Sequence, residues 1–254
     1  MVGQFTFLLS KVAVLSILIV CSEAAAQQMP AQNGGDGPPI YFSTATFDGS
    51  WINAIGRFDK DAPERFREFL EFNKETKAGA TVQLLSNGGS PLSGMEIGAM
   101  IQAHGFNTLV GDTKYLSGKP TCASACMLAF IGGIQRHVEP QAEFSVHAPR
   151  LLRSDGSEYL PDEIVFSPKD LAEEQRSMSL VLRYARNQGV DPAAVAAMYD
   201  VFPYGTPEES SRRLTSDELT QWRIDNLIPL SQETQQVMQP VDRLRQELCP
   251  PIKP

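Results

Sequence analysis

The sequence predicts a single-domain α/β fold with a largely parallel sheet. Short apolar strands alternate with helices between residues 81 and 147, at the spacing of βαβ crossovers. Glycine or proline ends several of these segments and so marks the boundaries between them. The chain of 254 residues is long enough for one domain with a substantial buried core.

The first segment, residues 1–26, has the order of a secretory signal peptide. Lys11 precedes an apolar run over 12–20, and small residues then permit cleavage after Ala26. An uncleaved anchor is the alternative, and it would be the chain's only contact with a membrane. Lipidation at Cys21 is disfavoured, because the valine before it stands where a small residue is needed. We therefore expect an exported protein, periplasmic or secreted from a bacterial envelope.

The formal net charge of −8 bears on partners rather than on fold. An acidic chain is a poor match for nucleic acid or for an anionic membrane surface, so we expect neither as a partner. We also expect no cofactor and no bound metal.

The predicted elements begin after a flexible leader, residues 27–39, which is rich in Gly, Pro and Gln. A strand over 40–47 precedes a helix over 62–74, whose apolar stripe we expect in the core. The members of that stripe are Phe66, Phe69, Leu70 and Phe72.

A β-α-β alternation follows. Its segments are strands over 81–86, 107–110, 136–139 and 143–147 and helices over 93–104 and 125–130. A polar, irregular stretch over 151–168 is typical of an insertion or lid. Three further helices are predicted, over 169–188, from Pro192, and after a capping-box start at Thr215. A Pro-rich tail covers 239–254.

Three turns within this alternation carry the residues of an acyl-transfer site. Gly88 and Gly89 follow one strand, Ser124 stands among small residues before a helix, and His147 ends a later strand. Acyl transfer needs a hydroxyl, an imidazole that takes its proton, and backbone N–H donors for the oxyanion. Each feature alone is more often structural, whereas the ordered combination is far more specific.

Two cysteines flank that serine, at positions 122 and 126. In an oxidising compartment Cys122 and Cys126 can form a disulfide that braces the turn, and Cys249 would remain unpaired. The alternative is a pair of small buried residues. A metal site that adds His147 is disfavoured, because the spacing is unusual for zinc and no fourth ligand is visible.

The run from Val82 to Arg150 resembles the central portion of the ClpP proteolytic subunit, in the ClpP/crotonase superfamily. The matching motifs, in the family's order, are Ser86-x-Gly88-Gly89, Ala123-Ser124-Ala125, Gly132-Gly133 and Val146-His147. The Cys-x-Ser-x-Cys turn and the predicted leader are more similar to exported ClpP-like proteins than to the cytosolic protease. The resemblance implies a ββα superhelix with a largely parallel sheet, and we expect the ClpP-like domain to span 40–238.

Carried over by position, the resemblance implies that Ser124 is the nucleophile and His147 the general base. The N–H groups of Gly89 and Ala125 would form the oxyanion hole. It also implies a homo-oligomer, because the family works as rings.

The third member of the triad departs from the family pattern, since the matching position holds Ser211. Nearby carboxylates are Asp200, Glu208 and Glu209, and none is assigned. The missing acid matters because it fixes the imidazole tautomer and stabilises the imidazolium. An active triad predicts a carboxylate within about 3 Å of Nδ1 of His147, whereas solvent or a backbone carbonyl there favours a binding role.

The function we expect is a secreted serine hydrolase, a peptidase in the first instance, acting on peptide or acyl substrates through a Ser–His acyl-enzyme. The alternative is a catalytically impaired protein of the same fold that serves in binding or assembly. An acyl-CoA enzyme of the crotonase type is disfavoured, because CoA substrates are cytosolic and the chain is expected to be exported.

Overall fold

The structure is a computed structural model, which describes residues 37–46, 48–111, 119–148, 168–201 and 210–227. All of them belong to one compact unit, Ala26–Leu230. The predicted signal peptide, most of the leader, the insertion and the Pro-rich tail lie outside the described residues, as do Glu208, Glu209 and Cys249. The domain boundaries at 40 and 238 therefore remain predictions.

The described strands form a five-stranded and a three-stranded sheet. The strands are β1 (Tyr41–Thr44), β2 (Trp51–Ile55), β3 (Thr81–Leu85), β4 (Asn107–Val110), β5 (Thr121–Ala123), β6 (Arg136–Val138), β7 (Glu143–Val146) and β8 (Arg212–Arg213). The larger sheet has the order β1-β2-β3-β4-β6, and the smaller one has the order β5-β7-β8. Sequence patterning predicts neither β2 nor β8.

Most neighbouring strands run parallel, which confirms the predicted α/β fold with a largely parallel sheet. Within the larger sheet β2, β3, β4 and β6 are parallel, and in the smaller sheet β5 is parallel to β7. The antiparallel pairs of the described chain, β1 with β2 and β7 with β8, lie at sheet edges.

One residue beyond β3 joins the two sheets. Ser86 pairs in parallel with Cys122: its N–H donates to the carbonyl of Thr121 (2.9 Å) and its own carbonyl accepts from Ala123 (3.0 Å). The carboxyl end of β3 therefore lies beside the carboxyl end of β5. Loops that follow parallel strands meet at such an edge, which is where α/β proteins place their ligand sites.

The helices begin where the sequence places caps and prolines. They are α1 (Ala62–Phe72), α2 (Pro91–Ala103), α3 (Ala125–Phe130), α4 (Pro168–Asn187), α5 (Pro192–Tyr199) and α6 (Ser216–Gln221). Ser90 and Asp191 accept hydrogen bonds from the first turns of α2 and α5, and Thr215 forms the predicted capping box with Glu218. In the described ranges no helix is long and apolar enough to cross a bilayer.

Glycines bring α2 against α3. A Cβ on Gly94 would clash with the carbonyl oxygen of Ala125, and one on Gly98 would clash with the Tyr184 hydroxyl. A Cβ on Gly132 would strike the backbone of Gly98. The small residues allow the two helix backbones to approach closely, and this fixes the position of the helix that follows Ser124.

The apolar stripe predicted for α1 is only partly buried. Phe66 is fully buried and packs on Phe42 at a ring distance of 4.7 Å, while Phe69 and Leu70 are partly buried against the core. Phe72 is 86% exposed, so its placement in the core was wrong. Phe72 is the last residue of α1.

The buried side chain of Arg136 joins helix ends on the far side of α3 from Ser124. Its guanidinium donates to five backbone carbonyls, those of Ile131, Gly133, Gln188, Arg223 and Ile224. Burial lowers the pKa of Arg136 to about 10, which still leaves it charged at neutral pH. The next residue, His137, pairs with Asp225 at 3.1 Å.

Candidate active site

Ser124 lies at a sharp strand-to-helix turn. β5 ends at Ala123, α3 begins at Ala125, and the serine between them has φ 55° and ψ −120°. A positive φ is uncommon for a residue with a side chain and costs on the order of 1–3 kcal/mol. A strained serine between a strand and a helix is the geometry of a nucleophile elbow. The residue is 7% exposed, so its hydroxyl has limited contact with bulk water.

Backbone hydrogen bonds on both sides hold the turn. The N–H of Ser124 donates to the carbonyl of Ser145 on β7 (3.1 Å), and its carbonyl accepts from Met127 in α3 (2.9 Å). Its side chain makes no capping hydrogen bond. The hydroxyl is therefore not used to stabilise α3, unlike the serine and threonine caps of α2 and α6.

The parallel pairing of β5 with β7 brings His147 to the same edge of the sheet. Ala123 is in register with Ser145, so the chain leaves β5 at Ser124 next to the point where it leaves β7 toward His147. The structure thus places the residues that the sequence predicts as nucleophile and base at the ends of two paired strands.

A backbone acceptor fixes the tautomer of His147. Its Nδ1 lies 2.7 Å from the carbonyl oxygen of Ala148, and because a carbonyl can only accept, Nδ1 carries the proton. In the neutral ring Nε2 then holds a lone pair, which is the form that a general base requires. A carbonyl fixes the tautomer as a carboxylate would, but it stabilises the imidazolium less because it has no charge.

Gly88 contacts the back of the nucleophile turn. It has φ 104°, and a Cβ at this position would lie 2.7 Å from the Cβ of Ser124 and 2.8 Å from the carbonyl of Ala123. Only glycine satisfies both the backbone conformation and the close approach. Gly89 also has a positive φ, 133°, and a Cβ there would clash with the backbone of Phe58.

The two predicted oxyanion donors are backbone N–H groups of residues next to the Ser124 turn. Phe58 bonds to the carbonyl of Gly88 and to the N–H of Ser90, so in this ladder the N–H of Gly89 points away from Phe58. Ala125 is the first residue of α3, and its N–H therefore has no partner within the helix. Among the described residues neither N–H donates a hydrogen bond, so both are available to a developing oxyanion.

A disulfide links the residues on either side of the serine. The structure joins Cys122 in β5 to Cys126 in α3, and both side chains are fully buried. The bridge closes the turn that presents Ser124. Cysteine pairing of this kind is typical of oxidising compartments.

Ser211 directly precedes β8, as His147 directly follows β7. Val146 is in register with Arg212 and Ser145 with Arg213, so extending this register by one residue would set Ser211 opposite His147. This is the position where the family resemblance expects the triad acid. Asp200, at the C-terminal end of α5, is exposed, and no hydrogen bond or ion pair in the described ranges joins it to His147. Glu208 and Glu209 lie outside the described residues, and the third member stays unassigned.

The remaining histidines have structural partners away from this edge. Nδ1 of His104 donates to the carbonyl of Met100 at the end of α2, and His137 pairs with Asp225. The hydrogen bond with Asp225 raises the pKa of His137 despite partial burial. In the part of the chain that the structure describes, no cluster of His, Cys, Asp and Glu is arranged for a metal ion.

Two functional contacts have no sequence signature. The carbonyls of Ser145 and Ala148, which position Ser124 and the His147 ring, belong to residues whose side chains are irrelevant to the contact. Only the family resemblance pointed to this segment, because in that family the corresponding strand carries the base.

Comparisons with known proteins identify similar folds and no closer relative. No family model matches the chain, and no curated protein matches it. A mutant of the membrane-bound stomatin-specific protease 1510-N shares 14% identity at a TM-score of 0.49, over 73% of this chain and 81% of that one. A mutant of ClpP1 from Listeria monocytogenes shares 16% identity at a TM-score of 0.48, over 70% of this chain and 90% of that one. The roles of Ser124 and His147 rest on the geometry of this chain and on no feature of either neighbour.

Proposed function

We propose that this protein is a serine hydrolase, in the first instance a peptidase, that works through an acyl-enzyme. The observation that carries the proposal is the conformation of Ser124, a strained residue at a strand-to-helix turn next to β7, the strand that His147 directly follows. Strain of this kind persists only where the surrounding structure enforces it, and it concentrates at functional sites.

The proposed chemistry uses groups of this chain alone. Oγ of Ser124 attacks a substrate carbonyl carbon while Nε2 of His147 takes its proton. The N–H groups of Gly89 and Ala125 donate to the oxyanion as the tetrahedral intermediate forms. The imidazolium returns the proton to the leaving amine, and water then releases the acyl group from Ser124 by the same steps in reverse order.

Covalent labelling tests the proposal directly. A fluorophosphonate probe should label the mature protein, and Ser124→Ala should abolish the labelling. His147→Gln should slow the labelling by about 10³-fold or more, because the hydroxyl loses its base. Ser50→Ala is the matched control, since Ser50 lies in an exposed loop before β2 and should leave the rate unchanged. Equal labelling of wild type and Ser124→Ala would overturn the proposal.

The substrate class is part of the proposal. Turnover of fluorescein-labelled casein but not of p-nitrophenyl acetate would indicate a peptidase that needs an extended chain. The opposite pattern would indicate an esterase on the same site.

The proposal also includes export of the protein and its self-association. Export is supported by the signal-like segment before Ala26 and by the Cys122–Cys126 bridge, which oxidising compartments favour. A fusion to alkaline phosphatase, which folds only after export, tests it. The homo-oligomer follows from the resemblance alone, and light scattering on the purified mature chain measures it.

A second candidate function is binding without cleavage. It is favoured by the carbonyl of Ala148 at Nδ1 of His147 and by Ser211 at the expected acid position. A fluorescent casein peptide distinguishes the two functions. Binding by wild type, with the peptide mass intact after long incubation, would support the second function and contradict the first.

A further inference from the structure

We infer that the Cys122–Cys126 disulfide is a positioning element for Ser124, which makes the reactivity of the serine conditional on oxidation. This inference rests on the proposed function and adds regulation to the same site. The bridge spans a sequence separation of four, and Ser124 lies at the middle of the ring that it closes.

Both ends of this ring are fixed to the core. Cys122 is fully buried in β5 and pairs with Ser86 at the junction of the two sheets. Cys126 is fully buried in the first turn of α3, the helix that packs against α2 through glycines. The bridge therefore sets the distance between a strand end and a helix start, and the residues between them must adopt whatever turn fits that distance.

The turn that fits is the strained one at Ser124. The side chain of Ser124 and the peptide group that carries the N–H of Ala125 are both attached to Cα of Ser124. Rotation about the N–Cα bond, which is the angle φ, therefore moves both relative to β5. If Ser124 relaxed to a negative φ, the hydroxyl and one oxyanion donor would move together. A single constraint thus controls two catalytic groups.

The short loop also indicates that the disulfide constrains the turn at Ser124 more than it stabilises the whole fold. Cross-links stabilise proteins mainly by restricting the unfolded chain, and a short loop restricts it less than a long one. Backbone hydrogen bonds from Ser124 to Ser145 and from Met127 to Ser124 remain when the bridge is absent. We therefore expect the fold to survive loss of the bridge while the geometry of the turn relaxes.

The redox step is a thiol–disulfide exchange. Forming the bridge removes two protons and two electrons from the thiols of Cys122 and Cys126, and a disulfide oxidant accepts them and becomes two thiols. Before oxidation the chain carries a relaxed turn, and the serine becomes reactive only where such an oxidant is present. A hydrolase made in a reducing compartment would thereby stay inactive until export.

The experiment measures labelling rate, thermal stability and local backbone motion on the same samples. They are the oxidised wild type, the wild type produced and kept in a reducing phosphine buffer, and Cys122→Ala/Cys126→Ala. We expect fluorophosphonate labelling to fall by about tenfold or more in the last two, because a small displacement of reacting groups has effects of this size or larger. Amide hydrogen exchange should rise in residues 121–130 and stay unchanged in β2.

Two control variants separate positioning from stability. Ile101→Val removes a methyl group from a fully buried residue at the far end of α2, and should lower Tm without slowing the labelling. Cys249→Ala removes the remaining cysteine of the mature chain and should change neither quantity.

Each outcome decides one of the two proposals. Unchanged exchange in residues 121–130, or a labelling rate that only follows Tm as it does in Ile101→Val, would overturn the positioning role. An oxidised wild type that the probe does not label would overturn the proposed hydrolase, and hydrogen exchange would still decide whether the bridge constrains the turn. If the double variant fails to fold, the reduced wild type supplies the same comparison.

Discussion

The two ends of α3 treat their polar groups in opposite ways. At its start, Ser124 has a strained backbone, and the N–H groups of Gly89 and Ala125 have no hydrogen-bond acceptor among the described residues. Just beyond its end, the guanidinium of Arg136 donates to five carbonyls, two of which, those of Ile131 and Gly133, directly follow the helix. At the start of α3, two backbone N–H groups lack an acceptor among the described residues. Beyond its end, the Arg136 guanidinium satisfies carbonyls that follow the helix.

The difference separates a site built for a ligand from a site built for stability. An unpaired buried donor, as at Ala125, and a positive φ each cost stability, so selection for stability alone would remove them. A clamp such as that of Arg136 stabilises the fold, which offsets the cost of the strain elsewhere. The contrast makes the Ser124 turn the functional part of this region and Arg136 a part that contributes stability.

The largest effect that tests this contrast is expected at Gly88. In Gly88→Ala the new methyl group would lie against the Cβ of Ser124, at a φ of 104° that alanine tolerates poorly. We expect the fluorophosphonate labelling rate to fall by about 10²-fold or more, because the nucleophile is displaced. Gly79→Ala is the matched control: Gly79 also has a positive φ, 88°, but no atom lies within 4 Å of the position that a Cβ would occupy. It should destabilise the fold without slowing the labelling, and equal losses of rate in both variants would contradict the contact with Ser124.

At the other end of α3 the same measurements should give the reverse pattern. Arg136→Ala leaves five carbonyls without their donor, and we expect the free energy of unfolding to fall by on the order of 3 kcal/mol. The labelling rate per folded molecule should stay within about twofold of wild type, since the residue contacts no reacting group. Denaturant titration provides the stability, with Arg67→Ala as the control because its ion pair with Glu64 is exposed. A large loss of rate in folded Arg136→Ala would show that the clamp also tunes the site.

A smaller effect is expected from restoring a charge beside His147. Ser211 directly precedes β8, and the register of β7 with β8, extended by one residue, would set it opposite His147. We expect Ser211→Asp to raise the labelling rate by about tenfold, because a carboxylate stabilises the imidazolium better than a neutral acceptor does. Ser211→Asn has the same shape without the charge and should leave the rate unchanged. A fall in rate in both variants would indicate that the serine itself supports the base.

Sequence reasoning predicted the elements that carry local signals. The strands and helices from Thr81 to Val146 follow from apolar periodicity and glycine punctuation, and the capping box at Thr215 is present as predicted. The prediction that Ser124 and His147 act together came from the resemblance, because no local pattern shows which strands will be neighbours.

The features that could not be predicted depend on contacts between distant segments. β8 is two exposed arginines whose strand character comes only from pairing with β7. The clamp of Arg136 reaches carbonyls as far as 88 residues away, and nothing in its own segment marks it as buried. The third member of the triad could not be predicted for a related reason. To choose among the nearby carboxylates, one needs to know the path of the chain before β8.

The smallest expected effect is the pH dependence of the His137–Asp225 pair next to the clamp. The hydrogen bond with Asp225 raises the pKa of His137, so its contribution to stability is present in acid and is lost as the pH rises through the folded-state value. Burial opposes the shift at Asp225, but hydrogen bonds from His137 and from the N–H groups of Val138 and Leu227 lower its pKa overall. Its contribution is therefore lost only as the pH falls through that lowered value, and the pair is strongest in the mildly acidic range between the two. We expect the Tm difference between wild type and His137→Asn to be about 1–2 °C larger at about pH 5.5 than at about pH 8.5, a small effect because the His137 side chain is partly exposed. His104→Asn, whose ring nitrogen faces a carbonyl instead of a carboxylate, is the control, and a pH-independent difference at His137 would show that the pair acts only as a neutral hydrogen bond.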